Sequence, residues 1–198
     1  MTVAHDVHYI QVPKREECLI LLEKCGVKGA LFKHSLRVND VAVFIAKKLV
    51  ENQELVDLQV VDRGSLLHDI GKPLVQGDED HSAKGAELLF KMDFPKLANV
   101  VLKHSLSFIL NNKFNSWEEL IVYYADKRVE EDKIVSIHER LDSWKHKYPD
   151  SAELIEEVRP NLEELERQLF AHLKFTPAEL GFKVEKSYVD PYAHNFLS

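Results

Sequence analysis

The chain contains few of the residues that interrupt helices. Its 198 residues include only 7 glycines and 7 prolines, and no run alternates strictly between apolar and polar side chains. Strands with one buried face show such alternation, and loops are rich in glycine and proline, so both absences argue against a β-sheet protein. The sequence therefore predicts an all-α fold in which helices are the only regular elements.

Cysteine and long apolar runs are also scarce. The two cysteines, Cys18 and Cys25, lie seven residues apart on one predicted helix. At about 1.5 Å per residue they are about 10.5 Å apart, which is too far for a disulfide. No stretch approaches the roughly 20 apolar residues that span a bilayer, and the N-terminus lacks the basic-then-apolar pattern of a signal peptide. We therefore expect reduced thiols in a soluble, cytoplasmic protein that has no membrane partner.

An excess of positive charge is absent too. The chain has 26 basic and 33 acidic residues, which gives a net charge of −7. General nucleic-acid binders carry basic stripes, so this class of protein is disfavoured. Any basic residue that binds a ligand is expected to act locally.

Apolar residues at helical spacing predict a series of helices. They are expected at about residues 14–25, 30–51, 55–69, 95–106, 117–130, 131–147 and 151–173, with a short helix from residue 81 and a short turn after residue 176. Gly26 is expected to end the first helix, and Gly71 to end the third in a left-handed conformation. Ser116 and Glu119 have the spacing of a capping box at the start of 117–130.

Six histidines and aspartates lie on or beside these helices. They are His34, His68, Asp69, His81, His104 and Asp126. Helices of a bundle direct inward side chains towards a shared centre, and imidazole together with carboxylate suits a divalent transition metal. Without neighbouring cysteines, a catalytic metal site is favoured over a structural zinc finger. Simpler interpretations stay open for single residues: His34 as a hydrogen-bonded core residue, and Asp126 as a capping or ion-paired carboxylate.

The sequence blocks around these residues resemble the HD-domain superfamily of metal-dependent phosphohydrolases. HSLRV, LLHDIGK, HSAKGAELL, VLKHS and YYADKRV stand in the family's order within about residues 28–130. His68 and Asp69 match the adjacent pair that gives the family its name. The resemblance implies an HD-domain helical bundle with a C-terminal helical extension.

The resemblance also implies a metal centre within that bundle. The expected ligands of one divalent metal are His34, His68, Asp69 and Asp126. His81 and His104 match the extra histidines of members that hold two metals, in which the aspartate of the pair bridges the ions. A dinuclear site is therefore favoured over a mononuclear one, and Mn, Fe, Co, Ni, Zn and Mg are the candidate metals.

Three parts of the chain follow from the same resemblance. Residues 1–27 are expected to form an N-terminal helix, residues 28–130 the HD phosphohydrolase core, and residues 131–198 a C-terminal helical extension packed on that core. Three alternative roles are open for the extension: it covers the bundle, closes the site or pairs two chains. A homodimer therefore stays open.

The activity that the resemblance implies is hydrolysis of a nucleotide or a related phosphate ester by a metal-activated hydroxide. Asp69 is expected to orient the metals and the nucleophile. Lys72 matches the lysine of the HDIGK block and is expected to be catalytic and to bind the substrate phosphate. Arg37 and Lys127 are further phosphate-binding candidates, although each also fits an ion-paired surface residue.

Two other functions stay open. The first is a nucleotide-sensing or partner-binding module that retains the metal site and has little turnover. The second is oxygen-dependent cleavage at a di-iron site, as in the inositol-oxygenase branch of the superfamily, since histidine and carboxylate also bind iron.

Overall fold

The computed structural model describes residues 12–77, 79–111 and 114–188. The α-helices within these ranges are α1 (Arg15–Lys24), α2 (Gly29–Glu51), α3 (Leu58–Leu67), α4 (His81–Lys91), α5 (Pro95–Leu102), α6 (Phe108–Asn111), α7 (Trp117–Lys127), α8 (Ile137–Lys147), α9 (Ala152–Ala171) and α10 (Leu180–Tyr188). Short 3₁₀-helices lie at Lys72–Leu74, Pro149–Ser151 and Pro177–Glu179. The predicted all-α fold class is confirmed, because most of the described chain is helical.

A short β-ribbon shows that helices are not the only regular elements. Strand β1 (Val129–Glu130) pairs antiparallel with strand β2 (Lys133–Ile134). The chain reverses between them at Glu131, whose φ is 57°. The predicted helices 117–130 and 131–147 are correspondingly shorter, since α7 ends before the ribbon and α8 begins after it. Two-residue strands are too short for an alternating pattern to appear in the sequence.

Gly71 does not adopt the left-handed conformation that the sequence predicted. Its φ is −76°. Glycine is required there for another reason, since a Cβ at this position would lie 1.9 Å from the carbonyl oxygen of His81. By contrast, Gly26 follows the end of α1 as predicted, and its φ of +84° gives this helix the left-handed end that had been expected of Gly71.

The predicted capping box at the start of α7 is only half formed. Ser116 Oγ accepts a hydrogen bond from the backbone N–H of Glu119 at 3.4 Å. The Glu119 carboxylate does not return this bond. It accepts instead from the backbone N–H of Asn115 and from Lys103 Nζ, both at 2.7 Å. The Glu119 carboxylate is therefore engaged in a tertiary ion pair with Lys103 and not in the capping box that the local sequence pattern predicted.

One hydrophobic core joins the early helices to the C-terminal ones. Cys18 on α1 is fully buried, and burial raises the pKa of its thiol to about 12. Both cysteines are free thiols. Leu141, Leu162 and Leu180, from α8, α9 and α10, are buried in the same core. No described helix is long and apolar enough to cross a membrane.

Candidate metal centre

The fold brings the six predicted histidines and aspartates to one place. They are His34 within α2, His68 and Asp69 directly after α3, His81 at the start of α4, His104 just after α5 and Asp126 in the last turn of α7. All are buried except His81, which is partly exposed. Residues from five helical segments therefore converge, as the sequence predicted.

Asp69 is shared by two groups of side chains that can each hold a metal ion. One group contains His34 and His68, the other contains His81 and His104, and within each group the donor atoms lie within 4.8 Å of one another. Asp69 Oδ2 lies 3.2 Å from His68 Nε2 and 3.8 Å from His34 Nε2. Asp69 Oδ1 lies 3.3 Å from His104 Nε2 and 3.5 Å from His81 Nε2. One carboxylate thus faces two pairs of histidines.

Asp126 adds a second carboxylate to the first group. Its Oδ1 lies 3.1 Å from His34 Nε2 and 3.7 Å from His68 Nε2. Its Oδ2 accepts a hydrogen bond from Lys127 Nζ at 2.7 Å. Asp126 is therefore an ion-paired carboxylate and also a neighbour of the histidines, so both interpretations of this residue describe its contacts.

Backbone carbonyls hold three of the histidine rings by their Nδ1 atoms. His34 Nδ1 lies 2.9 Å from the carbonyl oxygen of Glu131, and His68 Nδ1 lies 2.8 Å from that of Ser65. His104 Nδ1 lies 2.5 Å from the carbonyl oxygen of Val101. A carbonyl oxygen only accepts, so each Nδ1 carries a proton, and Nε2 is the atom through which each ring could bind a metal ion. These Nε2 atoms face the aspartates, as in histidines that bind metals.

Hydrogen bonding inside the cluster is incomplete, and the atoms without a partner are ones that could bind a cation. His68 Nε2 is buried and has no hydrogen-bond partner among the described residues. His81 Nε2 lies 3.1 Å from His104 Nε2. The His104 proton is on Nδ1, so its Nε2 lone pair points at the other ring. Converging nitrogen lone pairs and carboxylate oxygens form the donor set of a divalent transition metal.

The charges of the cluster keep its carboxylates ionised. Burial alone would raise the pKa of Asp69, but its electrostatic interactions with the surrounding histidine rings, above all His68, hold it well below its usual range. Burial likewise opposes ionisation of Asp126, and Lys127 and His34 outweigh it, so the pKa of Asp126 is also well below its usual range. Both groups are therefore negatively charged at neutral pH.

Two predicted lysines contact the cluster directly. Lys72 Nζ donates to Asp69 Oδ2 at 2.7 Å, and its side chain is 42% exposed. Lys127 is fully buried, and its Nζ donates to Asp126 Oδ2 at 2.7 Å and to the carbonyl oxygen of His104 at 2.6 Å. Lys72 thus reaches solvent, whereas Lys127 lies inside the protein.

Arg37 makes its contacts away from the cluster. Its Nε donates to the carbonyl oxygen of Asp132 in the ribbon turn, and its Nη1 donates to Glu185 Oε1 on α10, both at 2.9 Å. The fold therefore brings the six ligand candidates and two of the three predicted cations together, and it connects Arg37 to the C-terminal helices. The assignment of each residue as a ligand or a substrate contact stays a prediction.

Sequence reasoning missed the atoms that orient the histidines and one cation on α8. The orienting atoms are backbone carbonyl oxygens, which every residue has, so the sequence cannot show which of them contact the rings. The cation is Arg140, which is buried although it belongs to a charge-rich helix. The ion pair between Arg140 and Glu130 explains why Arg140 is buried. This pair is visible only in the folded structure, so no signal for it is present in the sequence.

Comparison with known families agrees with this geometry. A model of the HD domain matches residues 31–144, more than half of the chain. The chain belongs to the HD-domain family. The matched region contains all six residues of the cluster and continues beyond the ribbon into α8.

Among curated proteins, the relatives of this HD-domain chain include two proteins named tRNA (cytidine(56)-2′-O)-methyltransferase. The one from Thermoplasma volcanium is 32% identical over 158 residues, which are 73% of this chain and 45% of that protein. The one from Picrophilus torridus is 26% identical over 149 residues, 69% of this chain and 42% of that protein. The chain therefore spans less than half the length of either methyltransferase.

A third relative is an uncharacterized protein from Methanocaldococcus jannaschii. It is 32% identical over 144 residues, which are 63% of this chain and 84% of that protein. No solved structure matches the chain.

Proposed function

We propose that this HD-domain protein is a metal-dependent phosphohydrolase that cleaves a nucleotide or a related phosphate ester. The observation that carries the proposal is the position of Asp69, whose two oxygens each face a different pair of histidines. Divalent ions bound there would polarise a phosphoryl oxygen and lower the pKa of a water molecule, which is the chemistry that ester hydrolysis needs.

Two ions fit the residues present. The proposed ligands of the first are His34, His68, Asp69 and Asp126. The second would be bound by His81 and His104, with Asp69 as the shared ligand. In this proposal Asp69 fixes the relative position of the two groups, and the backbone carbonyls behind the rings keep the Nε2 lone pairs directed inwards.

Lys72 is the cation best placed to meet a substrate. One of its three N–H donors is used on Asp69, and the exposed side chain leaves the others free to reach a phosphoryl oxygen. Partial burial would lower the pKa of Lys72, but the charge of Asp69 outweighs it and raises the pKa. Lys72 is therefore protonated at neutral pH and acts as a cation rather than as a base.

Lys127 and Arg37 remain candidates for phosphate binding, but their contacts support other roles. Lys127 Nζ is already bonded to Asp126 and to the His104 carbonyl, so we propose that it orients Asp126. Arg37 is bonded to the ribbon turn and to α10, and we propose that it holds the turn whose Glu131 carbonyl orients His34.

Two relatives have names that refer to tRNA, and for this reason we include RNA-derived esters in the proposed substrate class. Both proteins are named for methylation of a cytidine in tRNA, and the similar region is less than half of each. Free nucleotides and short RNA ends present the same phosphoryl group to a metal centre. The net charge of −7 disfavours long RNA as a substrate, so small RNA-derived esters are the proposed members of this class.

The first experiment measures bound metal and phosphate release together. The purified full chain is analysed for metals, reconstituted with Mn, Co, Ni or Mg, and assayed with nucleotides, generic phosphodiesters and short RNA oligonucleotides that carry terminal phosphates. We expect about two metals per chain and turnover with at least one substrate class. In His81→Ala we expect about one metal per chain. We also expect turnover to fall by more than the roughly 10–100-fold that is typical when a residue that only hydrogen-bonds a metal ligand is lost.

His138→Ala is the matched control, because this histidine lies on the exposed surface of α8 and should change neither measurement. Phosphate release without any bound metal, or one metal or none with no release from any substrate, would contradict the dinuclear hydrolase. Bound metal without turnover would favour the sensing or partner-binding alternative. In that case nucleotide-dependent complex formation should be present in the wild type and lost in Asp69→Ala.

A further inference from the structure

The turn of the β-ribbon contacts His34 from a strained backbone conformation. Glu131 is the first residue of this two-residue turn, and its φ of 57° is a left-handed conformation that residues with side chains rarely adopt. Hairpin turns of this length usually have glycine or asparagine at such a position. The Glu131 carbonyl oxygen lies 2.9 Å from His34 Nδ1. A strained residue persists where its surroundings hold it in place, and such residues are concentrated at functional sites.

Helix α8 holds the turn from one side. Glu130, the residue before the turn, accepts hydrogen bonds from three side chains of this helix. The donors are Arg140 Nη1, Lys147 Nζ and, at 3.0 Å, Ser143 Oγ. The side chains of Glu130 and Arg140 are 18% and 9% exposed. Charge-assisted bonds at this depth are stronger than an exposed ion pair, so they fix the end of β1 on α8.

Helix α2 holds the turn from the other side. Arg37 lies about one helical turn after His34, and its Nε donates to the carbonyl oxygen of Asp132 at 2.9 Å. The turn is therefore bonded to α2 at two points, through His34 and through Arg37. Because Glu130 bonds the same turn to α8, the turn cannot shift without losing a bond to one of the two helices.

The position of the turn matters to the metal centre because the Glu131 carbonyl keeps a proton on His34 Nδ1. Nε2 of that ring then faces the two aspartates of the cluster. If the turn moves, the ring can rotate and the proton can occupy either nitrogen. The group that contains His104 is oriented elsewhere, since the Val101 carbonyl on α5 holds that ring. A displaced turn should therefore affect one group of ligands and not the other.

We propose that Glu130 is a positioning residue for the metal ion bound by the first group, which consists of His34, His68, Asp69 and Asp126. Glu130 holds the ribbon turn on α8, and the turn orients His34. This inference rests on the proposed function, because it requires that a divalent ion binds the first group. It assigns a role to a residue outside the six ligand candidates, and it makes α8 a support of one metal site.

The test measures the two groups separately by titrating the full chain with Co²⁺ and following the visible absorption of the bound ion. With His81→Ala only the first group is complete, and with His34→Ala only the second. We expect Glu130→Ala to weaken Co²⁺ binding about tenfold in the His81→Ala chain, the lower end of the range for loss of an outer partner. In the His34→Ala chain the affinity should change by less than about twofold.

Glu156→Ala is the matched control. Glu156 accepts from Lys145 of α8 at 2.8 Å and from Arg159 at 3.1 Å, so it is also a carboxylate bonded to one lysine and one arginine. It lies on α9 and its bonds do not involve the ribbon. Its replacement should change neither affinity.

An unchanged affinity of the first group in Glu130→Ala would overturn the positioning role. Equal losses in both chains would overturn it too, because they are the result expected if Glu130 acts only on stability or through its charge. If Glu130→Ala does not fold, Glu130→Gln retains the size of the side chain and removes the charge that Arg140 and Lys147 bind. Its first-group affinity should fall below that of the parent chain, and an unchanged value would overturn the proposal equally.

The outcome is independent of turnover, because Co²⁺ is the only ligand used. A selective loss in a protein that hydrolyses no substrate contradicts the proposed function and not the positioning role. Hydrolysis by the wild type together with an unchanged first-group affinity in Glu130→Ala contradicts the positioning role and not the function.

Discussion

Gly71 allows the two histidine groups of the candidate metal centre to lie close together. A Cβ at this position would lie 1.9 Å from the carbonyl oxygen of His81 and 2.7 Å from the backbone nitrogen of Gly85. Both obstacles are backbone atoms, so no side-chain rotation can make room. The close approach lets α4 begin beside the turn that carries Asp69, and it leaves His81 Nε2 3.5 Å from Asp69 Oδ1.

Gly71→Ala is expected to destabilise the fold by about 3 kcal/mol, the upper end of the range for overpacking, because the backbone of α4 must move. The same movement should reduce bound metal. Gly181→Ala is the control, since its Cβ would lie 3.7 Å from the nearest atom, Ile134 Cγ2, and the residue is in α10. Urea denaturation and metal analysis measure both variants. Equal midpoints for the two would show that the close approach is dispensable.

The residues that form the cluster could be predicted from the sequence, but the orientation of their histidine rings could not. Histidine and aspartate carry distinctive chemistry, and each of the six stands in a recognisable sequence block. The carbonyl oxygens of Ser65, Val101 and Glu131 hold the rings. Every residue has a carbonyl, and only the folded backbone decides which of them meets a ring. Lys127 shows the same limit, because its sequence position did not reveal that it is buried.

The β-ribbon shows how tertiary contacts override local helix propensity. Residues 130–134, EEDKI, contain no glycine or proline, so the sequence favoured helix on both sides of them. In the fold, Arg128 Nε donates to the carbonyl oxygen of Val135 at 2.6 Å, and the Val135 N–H donates back to the Arg128 carbonyl at 2.8 Å. These bonds join residues seven apart and close a turn that a helical pattern cannot anticipate.

Arg128 also connects α7 to α9. Its Nη1 lies 3.1 Å from Glu166 Oε2, and its Nη2 donates to the carbonyl oxygen of Pro177 at 3.0 Å. Tyr124 Oη donates to the same carboxylate oxygen at 2.5 Å. The Arg128 and Glu166 side chains are 4% and 17% exposed, so water cannot readily replace a lost partner.

Arg128→Met is expected to destabilise the fold by about 3–5 kcal/mol, because it leaves the Glu166 carboxylate largely buried without its cation. The double variant Arg128→Met, Glu166→Gln should lose less than the sum of the single variants, since both belong to one network. Arg167→Met, on the same helix, removes an exposed pair with Glu164 and should change stability by about 1 kcal/mol or less. Denaturant unfolding measures all four, and additive losses would mean that the two residues act independently.

At the scale of the whole molecule, fold class could be predicted and substrate could not. Apolar residues at helical spacing recur along the whole chain, and glycine and proline are few throughout. Many weak signals therefore combine into a clear prediction of fold class. The substrate depends on a few side chains, and the sequence does not reveal which of them the fold buries, as Arg140 on the charge-rich helix α8 shows. The methyltransferase relatives are more than twice as long as the region they share with this chain, so their names describe a larger protein.

The C-terminal helices contribute buried side chains to the hydrophobic core. Ile137 and Leu141 on α8 and Leu162 on α9 are buried, and the Glu131 carbonyl orients His34. The family match also continues to residue 144. We therefore expect that the predicted core, ending at residue 130, depends on the segment that follows it.

A chain ending at residue 130 is expected to lose cooperative unfolding, because removing the later helices exposes the apolar face of α7 and leaves Arg128 without Glu166. It should also bind little metal, since His34 loses the carbonyl that orients it. A chain ending at residue 188 keeps every described helix and is the control. Near-ultraviolet circular dichroism during heating, followed by metal analysis, compares the two. If the shorter chain melts cooperatively and binds as much metal as the control, then the C-terminal helices are needed neither for folding nor for metal binding.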